Sequence, residues 1–198
     1  MEPPARTGAG RSIISALRRT VVHATHVARN AALDLRYGAP LASAKNSDHQ
    51  ALAQVFAGRI DVGDVLVDIG CGKGRVINWW LRNTADNRIV GLELDPKTAQ
   101  STARRLRRHN RVHVIEGDAV ETLPTDGTVF YLFNPGGPAF VEPLEERLRS
   151  ISTLRTVLYY NPKHLSVFIE SGHWEVSHVR LDGRDGAPYS DLAVLTPR

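Results

Sequence analysis

The sequence predicts an α/β fold: a doubly wound, mostly parallel seven-strand sheet with an antiparallel C-terminal hairpin and an N-terminal helical extension. Three observations carry this. Short apolar, β-rich runs alternate with helical stretches from about residue 47 onward. A triple-glycine bend follows the first apolar run, and the last two runs have no helix-length segment between them. The length of 198 residues suits one domain with a short appendage, read as an extension over 1–46 and a body over 47–198.

Taken in order, residues 12–37 lack glycine and proline and are expected to form one long helix. Ile13, Leu17, Val21, Ala24, Ala28, Ala31 and Leu35 share one side of it. Arg11, Arg18, Arg29 and Arg36 fall within about 20° of one another on a different face, since 7 and 11 residues are near-integral numbers of turns. That edge is either a solvated border of a docked helix or a surface for an anionic substrate, a nucleic acid or a membrane. The expected strands are 65–69, 89–93, 112–116, 128–133, 156–160, 174–181 and 191–196. Helices are expected to begin near Lys73, Pro96 and Pro138, where a glycine turn or an N1 proline starts one. The turn-rich stretch from Asp182 to Gly186 joins the last two strands.

Charge is unevenly placed. Residues 1–40 hold six arginines against Glu2 and Asp34, a surplus of four, while the rest balances nineteen basic against nineteen acidic residues. The basic character belongs to the appendage. No run approaches the roughly 18 apolar residues a membrane span needs, and Arg18, Arg19, His23, His26 and Arg29 interrupt any signal-peptide core. A single cysteine, Cys71, forbids an internal disulfide and suits a reducing cytoplasm. Without a Cys–His grouping or a third ligand near His23 and His26, no metal site is expected.

The segment from Val65 to Arg75 reads VLVDIGCGKGR: a buried strand ending in Asp68, then Gly70, Gly72 and Gly74 before a helix with Val76, Ile77, Trp80 and Leu81 inward. Glycines there let the backbone bend sharply and let a ligand approach closely. The G-x-G-x-G spacing differs from the G-x-G-x-x-G of a dinucleotide site, and an acid at the strand end would repel a pyrophosphate. It suits a ligand carrying an ammonium and a sulfonium. Lys73 lacks the following Ser or Thr of a phosphate-binding loop.

On these residues the chain resembles the class I S-adenosylmethionine-dependent methyltransferases. Asp68 to Gly74 is similar to that family's first motif. Val90-Gly-Leu-Glu-Leu-Asp95 resembles its second-strand motif, which implies that Glu93 accepts the ribose hydroxyls. Gly117-Asp-Ala119 resembles its third, which implies Asp118, with Ala119, at the adenine. Phe133-Asn-Pro135 resembles the catalytic-loop motif and implies that the Asn134 side-chain carbonyl orients an acceptor N–H. Methyltransferases of amide or exocyclic base nitrogens read N-P-P-aromatic; this chain reads Asn134-Pro-Gly-Gly-Pro138, with Phe140 two residues beyond.

Asp95 reads as a helix N-cap before Pro96 and Cys71 as a small loop residue. Arg104, Arg105, Arg107 and Arg108 read as a solvated face opposite Ala99, Ala103 and Leu106. Tyr160 or Asn161, in a second Asn-Pro after the fifth strand, is a candidate lining residue. The resemblance implies an S-adenosylmethionine-dependent enzyme with an unidentified methyl acceptor: an amine, a lysine, a hydroxyl or a small molecule. The alternatives are an inactive binding module acting on anionic ligands, nucleic acid or membrane through the basic helix, and an NAD-dependent oxidoreductase, which the glycine spacing disfavours.

Overall fold

The computed structural model describes residues 49–134, 136–181 and 191–198. The expected long helix with its arginine edge, His23, His26, Pro135 and the turn at 182–186 lie outside the described residues. Helix α1 (His49–Phe56) leads into β1 (Val65–Ile69), α2 (Arg75–Asn83), β2 (Arg88–Glu93), α3 (Pro96–Leu106) and β3 (Val112–Glu116). Then come α4 (Ala119–Thr122), β4 (Val129–Leu132), α5 (Pro138–Arg149), β5 (Thr156–Tyr160), α6 (Leu165–Ser171), β6 (Trp174–Arg180) and β7 (Asp191–Pro197).

The seven strands run in the order β3-β2-β1-β4-β5-β7-β6. The first five are parallel, and β7 lies antiparallel between β5 and β6. The terminal pair therefore closes one edge with β6 outermost. Alternation along the strands explains the two helical layers. Val67, Phe130, Leu132, Val157 and Tyr159 bury themselves with Val120 of α4, Leu144 of α5 and Phe168 of α6. Leu66, Val129, Tyr131, Leu158 and Tyr160 face the opposite way, toward Leu52 of α1, Ile77 and Trp80 of α2 and Leu106 of α3. The chain leaves β1 in one direction toward β2 and β3, then returns to β4 on the other side, which puts the topological switch point, where open α/β sheets bind ligands in a crevice, at the carboxyl ends of β1 and β4.

Helices start where the chemistry places them. Asp95 caps α3 through the Thr98 amide, with Pro96 at the first turn, as its N-cap reading expects. Helix α2 begins at Arg75, two residues past Lys73, because Gly74 holds a left-handed conformation at its N-cap. Thr102 takes the buried position on α3 that Ala103 was expected to hold.

Opposite the crevice, Asp64 is pinned beneath the sheet. It accepts from the Arg155 guanidinium, the Thr128 hydroxyl at 2.7 Å and the Asp61 amide at 2.7 Å. Burial works to raise its pKa, but these donors, Arg155 foremost, hold it below the ordinary aspartate range.

Candidate active site

The three glycines of the bend all adopt positive φ: 78° at Gly70, 53° at Gly72 and 70° at Gly74. A side chain at these positions would be strained. The bend folds over the end of β2, with the amides of Gly70 and Cys71 both donating to the Leu92 carbonyl at 2.9 and 2.8 Å. Cys71 turns its side chain down against β2, where a Cβ on Gly91 would lie 2.8 Å from its Sγ and 2.7 Å from Ile77 Cδ1. Burial, and then the charges of Asp68 and Glu93, push its thiol pKa up. Cys71, read from the sequence as a small loop residue, is buried in packing against β2.

Glu93 binds the bend to the neighbouring strand. One carboxylate oxygen accepts from the Gly72 amide at 2.8 Å and the other from the Asp95 amide at 2.9 Å. A carboxylate has about four acceptor sites, so this leaves capacity for two further donors. One strand over, Gly117 donates its amide to the Glu93 carbonyl at 3.0 Å, and Asp118 caps α4 through the Val120 amide at 3.0 Å. Ala119 is the first, buried residue of that helix. Asp68, Glu93 and Asp118 accordingly stand on or just past three adjacent strands, β1, β2 and β3, around the glycine bend.

Asp68 is the anomaly among them. It is 3% exposed, and its Oδ2 is buried with no hydrogen-bond partner among the described residues. Burial, and secondarily the Glu93 charge, push its pKa up to about 8. A buried orphan acceptor beside a second carboxylate is a place for positive charge. Four residues on, the bend is open: a Cβ on Gly72 would meet nothing within 4 Å. Both observations fit a cationic nucleoside ligand such as S-adenosylmethionine.

Two residues brace the bend from α3: Thr102, which carried no signal in the sequence, and Arg105, expected there only as part of a solvated face. The Thr102 hydroxyl donates to the Gly72 carbonyl at 2.9 Å, and the Arg105 guanidinium donates to the Lys73 carbonyl. Arg105 stays exposed with Arg104, Arg107 and Arg108, so the solvated arginine face also reaches the bend. The i, i+3 spacing that puts both on one side of α3 was visible; the bend as their target was not.

At the end of β4, Asn134 has a φ of 43°, and Asn161 at the end of β5 has 52°, the two positive-φ residues among the described non-glycines. The Asn134 carbonyl oxygen does not stand open for an acceptor N–H. It accepts from the Tyr159 hydroxyl at 3.1 Å and from the Lys163 amide at 3.2 Å. Tyr159 is buried, which pushes its pKa up to about 12 against the opposing hydrogen bond from the His164 amide. Of the candidate lining residues, Tyr160 is buried and stacks on Phe133 with centroids 5.0 Å apart. Asn161 donates its amide to the Asp191 carbonyl at 2.7 Å. Phe140 is 5% exposed and packs in the core beneath Gly136, so it offers no stacking face. Among the described residues no cluster could hold a metal, and no helix is long and apolar enough to cross a membrane.

Residues 66–158, from β1 to β5, match the family model of a methyltransferase domain. Among solved structures the chain is similar to the 23S rRNA methyltransferase ErmE, at 18% identity and a TM-score of 0.59, covering 77% of this chain and 69% of that one. It is similar to the precorrin-6y C5,15-methyltransferase of Geobacter metallireducens, at 18% identity and a TM-score of 0.56, covering 79% and 92%. An RNA methyltransferase of Salinibacter ruber, solved with S-adenosyl-L-homocysteine, aligns at 20% identity and a TM-score of 0.55, covering 78% and 95%. No curated protein matches the chain.

Proposed function

We propose that the chain, whose residues 66–158 match the family model of a methyltransferase domain, is a class I S-adenosylmethionine-dependent enzyme that transfers a methyl group to an acceptor seated beside Asn134. The observation that carries the reading is Asp68, a buried carboxylate with an oxygen unpartnered among the described residues, at the strand end that leads into the glycine bend.

Asp68 would meet the positive charge of the ligand, with Gly70, Gly72 and Gly74 giving backbone access. Glu93 would add the ribose hydroxyls to the two amides it already binds. Asp118 and Ala119 would border the adenine. The chemistry supplied on binding is a methyl group activated by a sulfonium leaving group, so the protein's own task is alignment and exclusion of water. Asn134, held rigidly by its neighbours, would position the acceptor.

The similar solved structures are, by their names, methyltransferases of 23S rRNA, of RNA and of precorrin-6y. Here the acceptor is an amine, a lysine, a hydroxyl or a small molecule, and the arginines of residues 1–40 suit one carrying negative charge. Residues 1–46 would act as a basic extension to the body at 47–198. One buried cysteine fits a reducing cytoplasm.

The test is ligand-induced stabilisation. S-adenosylhomocysteine should raise the Tm and NADH should not, and labelled methyl groups from S-adenosylmethionine should enter a fraction of cell extract. Stabilisation by NADH alone would refute the reading.

A further inference from the structure

We infer that the methyl acceptor is an anionic oxygen, a carboxylate or an ionised hydroxyl, because Asn134 meets it as a hydrogen-bond donor. The inference rests on the methyltransferase reading and chooses between nitrogen and oxygen acceptors within it.

The Asn134 amide turns one defined atom toward the β5 loop. The Lys163 amide can only donate, so the atom 3.2 Å from it is the carbonyl oxygen. The Tyr159 hydroxyl reaches the same oxygen at 3.1 Å, while the His164 amide donates to that hydroxyl at 3.3 Å. Donation thus runs one way: His164 N–H to Tyr159 Oη, Tyr159 O–H to Asn134 Oδ1, with Lys163 N–H as the second donor. A carbonyl oxygen has two lone pairs, and both are used. Among the described residues nothing accepts from Asn134 Nδ2, which occupies the limb of the amide away from the β5 loop. The group left for a substrate at the carboxyl end of β4 is an NH2.

A neutral amine nitrogen has one lone pair, the one that must attack the methyl carbon. A donor aimed at it competes with the reaction. An anionic oxygen has lone pairs to spare, one to attack and another to accept from Asn134. In the step, an acceptor oxygen forms the new O–C bond as the C–S bond of the sulfonium breaks. That electron pair leaves on sulfur as a neutral thioether, and the negative charge on oxygen cancels with the positive charge on sulfur. No proton moves, so no general base is required.

The test uses 15N-labelled full-length protein saturated with S-adenosylhomocysteine and reads the side-chain NH2 resonances of Asn134, assigned by their absence in Asn134→Asp. Stabilisation by S-adenosylhomocysteine is measured first; if it is missing, the methyltransferase reading itself fails. With stabilisation in hand, benzoate or 4-nitrophenolate should shift the Asn134 pair saturably, and the one that does so identifies the carboxylate or hydroxyl class. Aniline, a neutral amine near pH 7, should leave the pair in place. A shift with aniline, or none with either anion, overturns the inference while leaving the cofactor reading standing. Tyr159 is the positioning residue: Tyr159→Phe releases one lone pair of Oδ1 and should weaken the anion response at least fivefold and admit aniline. An unchanged preference in that variant contradicts the positioning role.

Discussion

Glu93 accepts the Gly72 amide at 2.8 Å, so the acid at the end of β2 holds the bend that follows β1. Binding and folding therefore meet at one carboxylate. Glu93→Ala strands the Gly72 and Asp95 amides, each worth about 1–3 kcal/mol where water cannot reach. It also removes the proposed ribose contact. We expect at least a tenfold loss of S-adenosylhomocysteine affinity by calorimetry, with Glu93→Gln intermediate because its amide keeps one oxygen.

Asp68 gives the stability an unusual pH dependence. Its pKa is raised in the folded protein to about 8 from an ordinary value of 3.8, so the neutral form is favoured by folding. Its contribution is full below pH 4 and is lost as pH rises toward 8. Asp68→Asn should flatten that limb and raise the Tm at pH 8. The cationic S-adenosylmethionine should release a proton on binding and bind more tightly as pH rises from 6 to 8. Calorimetry in buffers of different ionisation enthalpy reads that proton directly.

The second linkage has the opposite sign and lies at the other end of the sheet. The Asp64 pKa is lowered through Arg155, Asp61 and Thr128 despite the opposing effect of burial. The stability it contributes is present above the ordinary aspartate pKa and is lost as pH falls through the lowered value. Arg155→Ala should cost about 1–3 kcal/mol at neutral pH in urea denaturation, since Asp64 loses a charged donor. The cost should shrink in acid. A cost independent of pH would disprove the linkage.

Gly91 tests whether β2 and the bend are one packed unit. A methyl group there would lie 2.7 Å from Ile77 Cδ1 and 2.8 Å from Cys71 Sγ. Gly91→Ala should destabilise by about 1–3 kcal/mol and weaken S-adenosylhomocysteine binding with it. Loss of stability with full affinity would separate the two.

Strand positions were legible because apolar period and bounding turns are local: β1, β3 and β5 fall on the expected residues. The single-turn α4 and the short α6 carried no such signal. Asp118, read for its side chain, caps the first, and His164 begins the second without a side-chain cap. The strand-end acids could be read because each closes a β-run. Partners separated along the chain could not: the Tyr159–Asn134 bond spans 25 residues, and Arg105 to Lys73 spans 32. The role expected of the Asn134 carbonyl depended on such a partner.

A crystal structure with S-adenosylhomocysteine bears most directly on the central claim. The ribose hydroxyls should lie within hydrogen-bond distance of Glu93, the amino acid portion over Gly70 to Gly74 near Asp68, and the adenine against Asp118. A ligand bound elsewhere, or one that leaves Glu93 and Asp68 untouched, would contradict it.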